Sequence, residues 1–74
     1  MKAIIRRYVM FNGSASYDEI HKLMIESGFF ANGNVIVKVQ GKKVVSGWSE
    51  EAAKVIEELS KEGTIKVTSR GLFA

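Results

Sequence analysis

Hydrophobic residues in this chain come in short runs, punctuated at Asn12-Gly13, Gly28, Asn32-Gly33-Asn34, Gln40-Gly41, Gly47, Gly63 and Gly71. Such dipeptides and glycines mark turns, so they cut the sequence into six segments of one element each. In the first, Lys2 to Asn12, a strand would place Ala3, Ile5, Arg7, Val9 and Phe11 on one face and Ile4, Arg6, Tyr8 and Met10 on the other. Either choice buries an arginine, which is costly without a partner. A helix, turning about 100° per residue, gathers Ile4, Ile5, Tyr8, Val9 and Phe11 on one arc and sets Lys2, Arg6 and Arg7 opposite. The segment is therefore predicted as a helix closed by Gly13, with the strand as the alternative, because isoleucine, valine and aromatics also favour strands.

Ser16 precedes a second helix beginning at Tyr17, and Glu19 stands at the spacing of a capping box. Tyr17, Ile20, Leu23, Met24 and Ser27 form its inner face, and Gly28 ends it. Val35 to Trp48 reads as a hairpin. A two-residue turn at Gly41-Lys42 pairs Gln40 with Lys43, Val39 with Val44, Val37 with Ser46 and Val35 with Trp48. That register puts Val35, Val37, Val39, Val44, Ser46 and Trp48 on one face. Ser49 caps a third helix, with Glu50 and Glu51 in its first turn, a buried stripe of Ala52, Val55, Ile56 and Leu59, and Gly63 at its end. Thr64 to Ser69 alternates as a strand with Ile65 and Val67 inward. A turn at Ser69-Arg70-Gly71 leads to a short return strand over Leu72-Phe73-Ala74.

The predicted order is α-α-β-β-α-β-β in a single compact α+β domain spanning residues 1–74. If the first segment is a strand, the order becomes βαββαβ, the ferredoxin-like plait. Its sheet face would carry Arg6, Tyr8, Lys38, Lys43, Lys66 and Arg70.

Composition narrows the function classes. With no cysteine, one histidine and 46% hydrophobic residues in 74, neither a disulfide scaffold, a cysteine zinc module nor a disordered chain fits. The apolar runs are too short for a membrane span, and no signal pattern opens the chain, so a cytoplasmic location is expected. His21 has no nucleophile or second metal ligand beside it and reads as a boundary histidine. Glu50-Glu51 and Glu57-Glu58 populate the polar side of an amphipathic helix. The glycines lack the spacing of a phosphate loop. No catalytic set, metal site or cofactor is implied, so an enzyme is not expected, nor a small-molecule substrate.

The net charge of +3 is unevenly spread. Residues 1–48 hold seven Lys/Arg and three Asp/Glu, or +4, and residues 49–74 hold four and five, or −1. Lys38, Lys42 and Lys43 crowd the tip and polar face of the central hairpin. Lys66 and Arg70 lie on the final one, and Arg6 and Arg7 on the first helix. This clustering suits contact with a nucleic-acid backbone. Phe29 and Phe30 flank the hairpin and are candidates for a dimer or partner contact.

Two stretches resemble the winged helix-turn-helix family of DNA-binding domains. Ile4-Ile5-Arg6-Arg7-Tyr8-Val9, followed by Asn12-Gly13-Ser14-Ala15-Ser16-Tyr17-Asp18-Glu19-Ile20, is similar to the family's first helix, connecting strand and second helix. Ile56 to Phe73 resembles its third helix and wing. The resemblance implies a winged-helix-like fold, duplex-DNA binding and a role in transcription regulation. Two features depart from the family's pattern: a β-hairpin is inserted between the second and third helices, and the third helix is acidic. The expected protein is a small homodimeric binder of duplex DNA, with Lys38, Lys42, Lys43, Lys66 and Arg70 on phosphate. The alternative is a protein-interaction module, or small inhibitor, docking on a larger partner through the acidic third helix and the two phenylalanines.

Overall fold

A computed structural model describes residues 1–74 as three helices and two antiparallel sheets. The elements are α1 (Lys2–Asn12), β1 (Ser14–Ala15), α2 (Tyr17–Glu26), β2 (Asn32–Val39), β3 (Lys42–Trp48), α3 (Glu50–Glu62), β4 (Lys66–Thr68) and β5 (Gly71–Phe73). The first segment is a helix, which removes the strand reading and the ferredoxin-like plait with it. Gly13, at φ 85°, closes α1 by donating its N–H to the Val9 carbonyl at 2.7 Å.

The predicted apolar arc of α1 is wider than the one the fold buries. Ile5 and Val9, one turn apart, enter the core, whereas Ile4 is 37% and Phe11 91% exposed. Tyr8, between them on that flank, is half-buried and donates its hydroxyl to the Glu19 carboxylate at 2.9 Å, while Ile4 and Phe11 stay open to solvent. The α2 capping box is present in full: Ser16 Oγ accepts from the Glu19 N–H, and the Glu19 carboxylate accepts from the Ser16 N–H. Tyr17, Ile20 and Met24 are its buried residues, with Leu23 half-buried and Ser27 exposed.

β1, β5 and β4 form one sheet in the order β1-β5-β4. Ala15 pairs with Leu72, and Leu72 with Val67, so all three face the core from adjacent strands. Thr68 pairs with Gly71, so the turn is the two-residue Ser69-Arg70, one residue shorter than expected. The Thr68 hydroxyl closes it, donating to the Gly71 carbonyl at 2.9 Å and accepting from the Arg70 N–H at 3.2 Å. Glycine is required at position 71: a Cβ there would stand 2.6 Å from the Ala15 carbonyl oxygen.

The β2–β3 hairpin exists, but its expected register is wrong. Val39 pairs with Lys42 and Lys38 with Lys43, which moves the turn one residue back to Gln40-Gly41. Those two residues have φ of 53° and 79°, the pair of positive values a type I′ turn requires. Three register shifts follow along the ladder, so that Val37 meets Val45, Val35 meets Trp48, and Asn32 pairs with Trp48 as well. The second shift falls near Gly47, at φ 83°, where glycine accommodates a bulge. The predicted Val39–Val44 and Val37–Ser46 pairs are therefore absent, while Val35–Trp48 stands. Val37, Val39 and Trp48 are buried, Val44 and Val45 share partial burial, and Ser46 is exposed.

α3 begins as expected on Ser49, whose Oγ accepts from the Ala52 N–H at 3.0 Å. It buries Ala52, Ile56 and Leu59 and ends at Gly63, φ 73°. Ser49 is the one buried polar residue, and no buried side-chain nitrogen or oxygen lacks a partner.

Candidate nucleic-acid interface

Three of the predicted basic residues sit at the end of the central hairpin, and a fourth, Lys66, opens β4 of the final one. Lys42 and Lys43 open β3 directly after the Gln40-Gly41 turn, and Lys38 faces Lys43 across the ladder. The turn reaches the final hairpin: Gln40, Ser60, Thr68 and Lys66 help line one cleft of about 360 Å³, along with Gly63, Ile65 and Val67. No carboxylate lines it. Gln40 is the one residue of the central hairpin in this cleft, and Lys66 its one basic residue; Lys38 and Lys43 line other grooves. Arg70 lies in the turn of the same final hairpin, exposed. Lys38, Lys42, Lys43, Lys66 and Arg70 take part in none of the four ion pairs.

Arg6 is placed differently. Its guanidinium meets Glu62 at 2.9 Å, and Lys2 meets Glu62 at 2.7 Å and Glu58 at 3.1 Å. Hydrogen bonds to Glu62 and Glu58 push the Lys2 ammonium above its usual range, and the Lys2 bond holds the Glu62 carboxyl below its own. These contacts join α1 to the end of α3 and occupy part of that helix's acidity. Arg7 is exposed on another flank of α1, in a groove with Ile4, Tyr8, Phe11 and Leu23. Neither arginine therefore extends the lysine cluster at the hairpin tips.

Lys38 has acidic neighbours as well. On the side toward α3 it shares a groove with Glu50, Glu57 and Lys54, so the positive surface ends where β2 meets that helix.

The remaining candidates lie away from the hairpin lysines. His21 Nε2 lies 3.3 Å from the Ala31 carbonyl oxygen, and its ring packs at 5.2 Å on Trp48. Tyr17 meets Trp48 edge-on at 6.1 Å. Phe29 is half-buried against the core, whereas Phe30 is 73% exposed. No group of three His, Cys, Asp or Glu side chains is placed to hold a metal ion, and no helix is long and apolar enough to cross a membrane.

Gln40 and Thr68 were absent from the predicted site. Their chemistry is common on any surface, and only the approach of the two hairpins singles them out. No protein-family model, curated protein or solved structure matches this chain.

Proposed function

We propose that this chain is a winged-helix-like protein of the cytoplasm that binds duplex DNA through its two hairpins, as a non-catalytic regulator of transcription. The element order and the β1-β5-β4 sheet, with β4 and β5 as the wing, support the fold reading. The observation that carries the function is that Lys38, Lys42, Lys43, Lys66 and Arg70 make no ion pair, while the Gln40 turn and Lys66 share a cleft free of carboxylates.

In this arrangement Lys38, Lys42, Lys43, Lys66 and Arg70 neutralise phosphates and position the protein on the duplex. Phosphate contacts of this kind carry little sequence information. The exposed side of α3 presents Glu50, Glu51 and Glu57, which repel phosphate, so the hairpins lead and α3 stays back from the groove.

The test is fluorescence anisotropy with a labelled duplex over a salt series. Five phosphate contacts give a slope of log K against log salt of about −4. The Lys42/Lys43 double alanine flattens that slope and weakens binding; unchanged binding in the double variant refutes the hairpin's part.

The exposure of Phe30 favours one other reading, docking on a larger protein through Phe30 and the acidic side of α3. Under it, Phe30→Ser abolishes co-purification of a partner while the salt-sensitive DNA binding is absent.

A further inference from the structure

We propose that the face made by α1 and α2 around Phe11 is the contact surface for a second copy of this chain, related by a two-fold axis. α1 carries two apolar stripes. Ile5 and Val9 enter the core, while Ile4, Tyr8 and Phe11, spaced i, i+4 and i+7, form a second stripe roughly a third of a turn away, at about 100° per residue, exposed at Ile4 and Phe11 and half-buried at Tyr8, whose hydroxyl bonds Glu19. That spacing belongs to a helix packed on another helix. Ile4, Tyr8 and Phe11 join Leu23 of α2 to line an open groove of about 540 Å³, and Phe11 is the most exposed large hydrophobic residue of the chain.

Two features select a copy of the same chain as the occupant. A two-fold interface must be self-complementary, because each patch meets itself. Here the protruding Phe11 ring and the groove able to receive one occupy the same face.

The charges match in the same way. Arg7 edges the groove on α1 and makes no ion pair; Glu26 edges the adjoining cleft on α2, with Tyr8, Glu19, Lys22 and Leu23, and makes none either. Antiparallel apposition about the axis sets Arg7 of each copy against Glu26 of the other. A standard interface covers about 800 Å² per partner, about one-sixth of this chain's 4720 Å² surface.

The expected dimer contact therefore moves from Phe29 and Phe30 to Phe11. The lysine-bearing hairpins lie outside this face, so the proposal stands or falls apart from the DNA-binding reading.

Light scattering on the full chain across a concentration series tests it, with circular dichroism to verify folding. The wild type runs at twice its 8.2 kDa mass. Phe11→Glu and Arg7→Glu run as folded monomers, Phe30→Ser stays dimeric, and Arg7→Glu combined with Glu26→Arg restores the dimer. A monomeric wild type, a dimer that survives Phe11→Glu, a dimer dissolved by Phe30→Ser, or a charge-swapped pair that stays monomeric overturns the proposal.

Discussion

The hydroxyl of Tyr17, the first residue of α2, donates to the carbonyl oxygen of Thr68, the last residue of β4, at 2.5 Å. This bond pins the final hairpin to the second helix. The ring is buried and leans edge-on against Trp48, so one side chain links α2, the final hairpin and the central hairpin. Burial pushes its phenol up to about 12.

Tyr17→Phe keeps the ring and removes the bond. It is expected to lower stability by about 1 kcal/mol in a urea titration at neutral pH. The same residue has an alkaline signature. Below pH 10 the phenol is neutral in folded and unfolded chains alike, so its contribution is constant. As pH rises from 10 toward about 12 the unfolded phenol ionises first, and wild-type stability falls. Tyr17→Phe lacks that component, so the gap between the two proteins narrows over this window.

Ser49 joins the central hairpin's approach to α3. Its Oγ accepts from the Ala52 N–H at 3.0 Å and donates to the Phe30 carbonyl at 2.7 Å. Ser49→Ala loses the cap and leaves the carbonyl unpaired, a cost of about 2 kcal/mol by thermal or urea unfolding. Ser49→Asp does not restore full stability. Its carboxylate caps the helix well but has no hydrogen to give Phe30.

The Lys2–Glu62–Arg6 cluster makes stability depend on acid. The Glu62 carboxyl is held below its usual 4.5 by the Lys2 hydrogen bond first and by Arg6 in addition. A depressed carboxyl contributes stability above the unfolded value and loses it as pH falls through the folded one. Glu62→Gln is therefore less stable than wild type at pH 7, declines less below pH 4.5, and converges with it in strong acid. Urea midpoints over that pH range check the prediction.

Local chemistry made much of the fold legible. Ser16 with Glu19 and Ser49 with Glu50-Glu51 mark helix starts by short-range hydrogen bonding and charge, which need no tertiary context. Arg6 and Arg7 identify α1 as a helix because no strand face can hold them without burial.

The register of the central hairpin escaped for a different reason. A glycine at 41 permits either of two turns, and the positive φ of Gln40 carries no mark in its side chain. The shifts along the ladder, one of them beside Gly47 at φ 83°, break the alternation from which a register is read.

Among the site residues, Lys38, Lys42 and Lys43 were readable from their place in one hairpin. The approach of the Gln40 turn to Lys66, and the diversion of Arg6 to Glu62 across 56 positions, arise only when distant elements meet. The second stripe of α1 was likewise hidden. Periodicity groups Ile4 and Phe11 with Ile5 and Val9 and does not tell which flank the fold covers.

The binding surface is tested most directly by charge reversals of equal size on different faces. Lys43→Glu and Lys66→Glu alter the two hairpins, and Lys61→Glu alters an exposed position on α3. Anisotropy titrations on one duplex at one salt concentration compare the three. The account predicts that each hairpin variant loses affinity about tenfold and flattens the salt slope by about 1, while Lys61→Glu stays near wild type. Equal losses for all three would contradict it, because net charge alone, with no defined surface, would then govern binding.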